Sequence, residues 1–255
     1  MKLLMTFIFS LQNLIAFSQQ ESKEIQVEYQ LFCDTNQATK LFTTLYANSN
    51  TAVYQEKYST AEDWQEHAKK LPEGVKRFGA TDPDDSYFKI DSNSKKIFFF
   101  DIIASNNFLV EDNYPDFNWN ITSETKNIAG YPCIKATTSY RGRTWVAWFT
   151  PQIPISFGPW KLFGLPGLIV EAYDTDNKYT FKPIKIEFKK NDILKKDFAT
   201  LMETKNTKPI TYQQFLKDTE EFNDNLINDV RDSNVTITRI PFPREGEELK
   251  FEWEE

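Results

Sequence analysis

The chain has 255 residues and a formal net charge of −7, and 15% of its residues are aromatic, 22 of them Phe. An acidic balance argues against nucleic acid or an anionic membrane surface as the partner, because both select basic proteins. The length is sufficient for one large domain or two small ones, and we favour one.

Residues 1–18 have the pattern of a secretory signal peptide. Lys2 precedes an uncharged, apolar run from Leu3 to Phe17, and Ala16 and Ser18 supply the small residues of a cleavage site. The run is shorter than the ~20 residues of a transmembrane helix, and no cysteine directly follows it for lipid attachment. We therefore expect cleavage after Ser18 and export to the periplasm or beyond. The mature chain, 19–255, is expected to form a single domain with a net charge of −8 and no membrane-spanning segment.

Strand patterns dominate the mature chain. Ile25, Val27, Tyr29 and Leu31 occupy alternate positions, which is typical of a strand with one buried face. Two apolar runs between residues 41 and 58 flank a polar turn at 48–50 and predict a hairpin. Further strands are predicted at 87–90, 97–103, 108–110, 117–121, 133–140, 145–149, 168–173 and 179–188, with a bulge at Pro183.

Two helices are predicted beside these strands. Residues 60–71 have apolar positions at helical spacing. Thr211 and Gln214 make a capping box, and Ile210 and Phe215 a hydrophobic staple, at the start of a second helix. The predicted fold class is therefore α+β and β-dominated, with a large bent antiparallel sheet, half-barrel or sandwich-like, and a few helices on its concave side. The run 98–100 is Phe on both faces of a strand, which requires cover by a helix, a second sheet or a ligand.

The segment 130–167 contains five of the eight glycines and five of the twelve prolines. Such enrichment indicates a backbone under geometric demand. The hexapeptide Gly164, Leu165, Pro166, Gly167, Leu168, Ile169 follows Gly158, Pro159, Trp160, Lys161. Upstream are Gly130-Tyr131-Pro132-Cys133, Lys135-Ala136-Thr137, Arg141-Gly142-Arg143, Ala147-Trp148-Phe149-Thr150 and Ile153-Pro154.

Over residues 130–169 these motifs resemble the GLPGLI family, which takes its name from the hexapeptide. The resemblance implies a secreted or periplasmic protein of Gram-negative bacteria and brings no established activity. The hexapeptide itself is apolar, so we expect a structural role. Leu165 and Leu168 are predicted in the core, Pro166 and Gly167 in a type II turn with positive φ at Gly167, and Lys161 at a position where replacement costs little.

Few residues suggest chemistry. The single histidine, His67, is interpreted as structural, because no nucleophile or metal-ligand motif accompanies it. The aspartates at 82–85 and the Asp174–Asn177 stretch are interpreted as turns. Arg141 and Arg143 flank Gly142; they are candidates for bidentate contact with an anion, although solvated side chains are the preferred interpretation. Cys33 and Cys133 are predicted to form a disulfide, since a lone pair in an oxidising compartment usually does.

Three functions remain open at this point. The first is a non-catalytic binding or carrier protein for an apolar ligand, for which no cofactor or metal is expected. The second is an accessory protein that docks on an outer-membrane transporter or envelope complex through the Gly/Pro-rich loop. An enzyme is third, since no catalytic motif is found. An apolar cavity would favour the carrier, whereas an exposed patch around Trp160 and Phe163 would favour docking.

Overall fold

The computed structural model describes residues 24–35, 38–57, 86–104, 106–189, 208–229, 244 and 246–254. The signal peptide, the predicted helix with His67 and the aspartates at 82–85 lie outside these ranges. The described elements are β1 (Glu24–Asp34), β2 (Ala38–Ala47), β3 (Thr51–Lys57), β4 (Ser86–Asp91), β5 (Lys96–Ile103), β6 (Asn106–Asn113), β7 (Asn120–Ile128), β8 (Tyr131–Tyr140), β9 (Arg143–Thr150), β10 (Leu168–Asp174), β11 (Tyr179–Lys189), β12 (Ile210–Thr211) and α1 (Tyr212–Asp229).

The twelve strands form one sheet in the order β12-β6-β5-β4-β3-β2-β1-β11-β10-β9-β8-β7. Two meanders of consecutive strands, β1 to β6 and β7 to β11, are joined by antiparallel pairing of β1 with β11. All pairs are antiparallel except β12 with β6. The predicted β-dominated antiparallel sheet is therefore confirmed, and the N-terminal strand lies near its middle.

The sheet is strongly bent. Nine inter-strand spacings separate β6 from β8, which would place them about 43 Å apart in a flat sheet. Nevertheless Asp112 of β6 and Arg141, which follows β8, lie 2.7 Å apart. The two meanders must therefore curve towards each other, and the face that carries these residues is the concave one.

The concave face is filled by two irregular segments and a helix. The loop at 151–167, here called the Gly/Pro loop, contributes buried apolar side chains to the main core. Residues 246–254, here called the C-terminal segment, lie against the turn that follows β8. Helix α1 packs Phe215 and Phe222 on Phe99 and Val110. It is the single helix of the described residues, so the prediction of a few helices was too high for this part of the chain.

Local predictions are confirmed at several elements. The amide of Gln214 donates to Thr211 Oγ1 (3.2 Å), as a helix cap does. The β1–β11 register shifts opposite Pro183, where the bulge was predicted. Phe99 and Phe100 are both buried, on opposite faces of β5. No helix among the described residues is long and apolar enough to cross a membrane.

Candidate functional site

The turn between β8 and β9 places Arg141 and Arg143. Tyr140 pairs with Arg143, and both central residues have positive φ, 43° at Arg141 and 85° at Gly142. This is the backbone of a type I′ hairpin turn, in which a non-glycine first residue is strained. A Cβ at Gly142 would lie 2.9 Å from Leu249 Cβ. Glycine is therefore needed because the C-terminal segment passes directly over the turn.

The guanidinium of Arg141 is completely enclosed. It donates to both carboxylate oxygens of Asp112 (2.7 and 2.8 Å), to Glu248 (2.6 Å) and to Glu252 (3.0 Å). Its side chain is 1% exposed. Four aromatic rings lie with their centroids 4.9–5.6 Å from its central carbon, and they belong to Tyr140, Tyr212, Phe251 and Trp253.

Lys161 of the Gly/Pro loop shares these carboxylates. Its Nζ donates to Asp112 (2.8 Å) and to Glu248 (3.0 Å), and its side chain is 1% exposed. Glu248 also accepts a hydrogen bond from the hydroxyl of Tyr212 (3.0 Å). One carboxylate from β6 and one from the C-terminal segment thus hold two buried cations.

Arg143 completes the arrangement. It donates to Asp174 (2.9 Å) and to the carbonyl of Gly246 (2.6 and 2.8 Å). The carbonyl of Arg141 accepts from the amides of Leu249 and Lys250 (2.7 and 3.1 Å). We call the group Arg141, Arg143, Lys161, Asp112, Asp174, Glu248 and Glu252 the ion-pair cluster. Its three cations face three buried carboxylates, with Glu252 at the rim.

The electrostatics of the ion-pair cluster favour the charged forms. Burial opposes ionisation of Asp112, but the charge of Lys161 and the hydrogen bonds from Arg141 outweigh it and hold the pKa of that carboxyl below its usual range. Burial and the charge of Glu248 raise the pKa of the Tyr212 phenol, so it stays a donor. The charges are matched within the chain, as a buried ion cluster requires.

The Gly/Pro loop is a close-packed structural element. A Cβ at Gly167 (φ 151°) would lie 2.2 Å from the carbonyl oxygen of Thr150. The amide of Gly167 donates to the carbonyl of Leu165 (2.8 Å), a span of three residues. That is the pattern of a γ-turn, so the type II turn was wrong, whereas positive φ at Gly167 is confirmed. Leu165 and Leu168 are buried as predicted, and Tyr29 of β1 donates to the carbonyl of Ile169 (2.7 Å).

A second polar group lies elsewhere on the concave face. We call Glu56, Glu247, Thr43 and Tyr54 the acidic cluster. Glu56 of β3 is in register with Thr43 of β2, and Tyr54 lies two residues before it on the same face. Burial and the nearby charge of Glu247 raise the pKa of Glu56 to about 8, and burial also raises that of Glu247. Burial, Glu247 and Glu56 together raise the pKa of Cys33 to about 12. No Lys or Arg of the described ranges is within ion-pair distance of either glutamate.

These positions can now be set beside known proteins. Residues 140–171, which contain Arg141, Arg143, Lys161 and the hexapeptide, match the model of a family described as a protein of unknown function, Porph_ging. Curated protein sequences offer no match. The matched segment therefore coincides with the basic half of the ion-pair cluster and with the Gly/Pro loop.

Solved structures show a similar fold. PNGF-II in a C2 crystal has a TM-score of 0.56 and 18% identity, and the match covers 79% of this chain and 33% of that one. A P21 crystal of PNGF-II gives 0.55 and 19%, with 79% and 34% covered. The chain thus spans about a third of the length of PNGF-II. A lipoprotein-sorting protein domain, described as putative and outer-membrane, from Vibrio parahaemolyticus has a TM-score of 0.35 at 8% identity, covering 75% and 95%, which is too weak to indicate a shared fold.

The structure corrects three expectations about the matched segment. Arg141 and Arg143 are buried, so the solvated interpretation was wrong, and the bidentate contact of Arg141 is with a carboxylate of this chain. Lys161 is buried between two carboxylates, so replacing it cannot be cheap. Trp160 (3% exposed) and Phe163 (2% exposed) belong to the core, so the loop offers no exposed patch there for docking.

The predicted disulfide is also wrong. Cys33 and Cys133 are both free thiols. They belong to β1 and β8, between which β11, β10 and β9 intervene. Three strands therefore separate the two thiols within the sheet, and no disulfide joins them. Asp174 and Asn177 do lie in a hairpin turn, as predicted.

Sequence reasoning missed the acidic half of the ion-pair cluster and the whole acidic cluster. The signal for the former was present at 247–254, which contains four glutamates and two aromatic residues, Phe251 and Trp253. Such a composition complements a basic turn. No sequence pattern indicated that Glu56 and Glu247 interact, because the sheet must bend before the charge of Glu247 can act on Glu56.

Proposed function

We propose that the protein is an exported, non-catalytic binding protein of the Gram-negative cell envelope, related to the GLPGLI family, and that it carries an amphiphilic ligand with an apolar body. Two sets of observations support this proposal. One concerns what the matched segment does, and the other concerns the aromatic residues of the concave face.

The matched segment supports a structural role for the signature residues. Every cation in it is paired with a carboxylate of this chain, and its loop fills the core. The cations of this segment are therefore not assigned to ligand binding, whereas three of its aromatic residues, Tyr140, Trp145 and Trp160, belong to the row described below. The alternative of docking through the Gly/Pro loop loses its basis with the burial of Trp160 and Phe163.

The observation that carries the proposal is a row of aromatic side chains whose polar atoms lack partners. Ring centroids are 6.4 Å apart for Tyr54 and Phe181, 6.3 Å for Phe181 and Trp145, 5.3 Å for Trp145 and Trp160, and 6.0 Å for Trp160 and Tyr140. We call these five residues the aromatic row.

Three polar atoms of the aromatic row are buried without a hydrogen-bond partner in the part of the chain that the structure describes. They are the hydroxyls of Tyr54 and Tyr140 and the indole Nε1 of Trp145. Each such group costs about 1–3 kcal/mol unless something satisfies it. A ligand that presents polar atoms to these groups would do so, and because the five rings are 0–7% exposed, its apolar body must lie between the rings and the side chains that cover them.

Native mass spectrometry of the protein purified from its own envelope tests this proposal. We expect an intact mass that begins at Gln19 plus a bound organic species, which organic extraction removes. Tyr54→Phe deletes one unpartnered hydroxyl and should retain less of that species, whereas Tyr173→Phe, beside Ala172 on the other face of β10, should retain it fully. A protein whose mass is that of its chain alone would contradict the proposal, and a chain that keeps Met1 would contradict export.

A further inference from the structure

We infer that Glu56, Glu247, Tyr54 and Thr43 form a binding site for an organic ammonium group, which receives the cationic head of the ligand whose apolar body lies on the aromatic row. The inference rests on the proposed function and extends it by naming the chemistry of the head group. Four observations lead to it.

The first observation is that the acidic cluster has no ion pair with a Lys or Arg of the described residues, although the charges of Lys161 and Arg143 reach Glu247. Its neighbours of opposite sign are already engaged, since Lys161 binds Asp112 and Glu248, and Arg143 binds Asp174 and Gly246. Two partly buried carboxyl groups, one of which acts electrostatically on the other, either retain a proton or take up a cation when no described Lys or Arg pairs with them.

The second observation is independent of charge. Thr43 (1% exposed) and Tyr54 (0% exposed) have hydroxyls that make no geometrically well-formed hydrogen bond among the described residues, although Thr43 is close enough to offset part of the rise in the pKa of the Tyr54 phenol that burial causes. Thr43 is the register partner of Glu56, and the Tyr54 phenol is near enough to Glu56 and Glu247 to feel their charges. Two hydroxyl oxygens and two carboxyl groups thus provide acceptors for the three N–H donors of a primary ammonium.

The third observation is access. Glu56, Glu247 and Cys33 are only half-buried, while Tyr54 behind them is fully buried. The acidic cluster therefore lies where the concave face meets solvent, and Tyr54 belongs to both the acidic cluster and the aromatic row. A molecule with a cationic end and an apolar end can enter here with its apolar end first and leave its charge at the carboxylates.

The fourth observation favours an ammonium over a metal ion. Ca²⁺ takes six to eight oxygen ligands, commonly from several carboxylates. Within the described ranges no group of three or more His, Cys, Asp or Glu side chains is placed to hold a metal. An ammonium needs only the acceptors already named.

Isothermal titration calorimetry with octylamine as the probe tests the inference on the full mature chain. We expect octylammonium to bind at least tenfold more tightly than octanol or octanoate at pH 8.5. The double variant Glu56→Gln/Glu247→Gln should lose this preference. The control Glu221→Gln, which removes a charge from the exposed surface of α1, should keep it. Thermal unfolding of each variant verifies that it is folded.

The pH dependence has a defined sign. Burial and the charge of Glu247 hold a proton on Glu56 until about pH 8, and burial and the charge of Glu248 raise the pKa of Glu247, so both ionise only as pH rises. Affinity for octylammonium should therefore increase from pH 6 to pH 9. Arg143, Lys161 and Glu248 also face Glu247, while Tyr54 and Cys33 face both glutamates; burial raises the pKa of both Tyr54 and Cys33, so these two groups stay neutral over this range.

The outcomes separate the two proposals. Equal binding of octanol and octylammonium would overturn the ammonium site and leave the carrier standing. A heat of binding with CaCl₂ that the double variant loses, and none with octylamine, would also overturn it in favour of a metal. No binding of any of these amphiphiles, together with a chain-only native mass, would overturn both proposals.

Discussion

The ion-pair cluster and the acidic cluster lie on one concave face and are linked by neighbouring residues, Glu248 and Glu247. In the first, each buried cation has a buried carboxylate within 3 Å, and the aromatic rings exclude water. In the second, no Lys or Arg of the described residues forms an ion pair with Glu56 or Glu247, and the hydroxyls of Thr43 and Tyr54 beside them make no well-formed hydrogen bond. The paired charges of the first cluster stabilise the fold. Carboxylates without ion-pair partners, as in the second, destabilise it and are typical of sites that bind something.

The largest effect is expected at the centre of the ion-pair cluster. Arg141→Ala leaves Asp112 and Glu248 buried with only Lys161 to share, so it should lower the free energy of unfolding by about 3–5 kcal/mol in urea titration. The control Arg244→Ala removes an exposed bidentate pair with Glu254 and should cost roughly 1 kcal/mol or less. Similar losses for the two variants would mean that the ion-pair cluster is not what secures the C-terminal segment.

The next largest effect on stability is expected in the Gly/Pro loop. Gly167→Ala must accommodate a methyl group 2.2 Å from a carbonyl oxygen, in a backbone that requires positive φ. Gly130 also has positive φ, 85°, but a Cβ there meets nothing within 4 Å. Gly130→Ala should therefore cost about 1 kcal/mol, the conformational penalty alone, and Gly167→Ala clearly more. Equal melting temperatures would show that the loop yields easily and is not a rigid support.

Removing a charge from the acidic cluster should raise the free energy of unfolding, whereas the two changes above lower it. The pKa of Glu56 is raised above its unfolded value of 4.5, to about 8. The folded protein therefore binds more protons than the unfolded chain between these values, and stability falls as pH rises from about 5 to 8. Glu56→Gln should flatten that slope and stabilise the protein at pH 8.5 by at least ~1.4 kcal/mol, the equivalent of one pKa unit. A destabilised variant would contradict an unbalanced pair.

The smallest effect compares the two thiols. Burial and the charges of Glu247 and Glu56 raise the pKa of Cys33, whereas that of Cys133 is raised to about 11 chiefly by burial, with Glu171 as its acidic neighbour. In the variant Glu56→Gln/Glu247→Gln, the pKa of Cys33 should fall and its alkylation by iodoacetamide should become severalfold faster at pH 8. Cys133 in the same molecule is the internal control. Unchanged rates at Cys33 would place Glu56 and Glu247 too far away to act on it.

Features that depend on residues adjacent in the sequence could be predicted, whereas contacts that form only when the sheet bends could not. Strand β1 was readable because alternate residues from Ile25 to Leu31 share one buried face. Strand β7 was placed too early, at 117–121, because the edge strand exposes most of its polar residues and shows no alternation. The bulge at Pro183 and the cap at Thr211 depend on a few adjacent residues, and both were found.

The candidate sites depend on contacts that no local pattern encodes. Arg141 binds carboxylates 29, 107 and 111 residues away, and Lys161 binds one 49 residues before it. Adjacent glycine and arginine indicated a tight turn, but burial of both arginines follows from the arrival of the C-terminal segment. The two cysteines were paired from the oxidising compartment alone, and the strand order, which places three strands between them, could not be read from the sequence.

The central position of β1 has a consequence for how the chain folds. In each meander most consecutive strands are joined by short turns, which close rapidly; the exceptions are the connections of β3 to β4 and of β9 to β10. The seam between β1 and β11 instead joins residues such as Leu31 and Phe181, so about 150 residues of chain must be closed before any contact there forms. We expect folding in at least two kinetic phases, with the hairpins protected from hydrogen exchange before the amides of β1 that face β11. Until that seam closes, neither the concave face nor its two clusters exist.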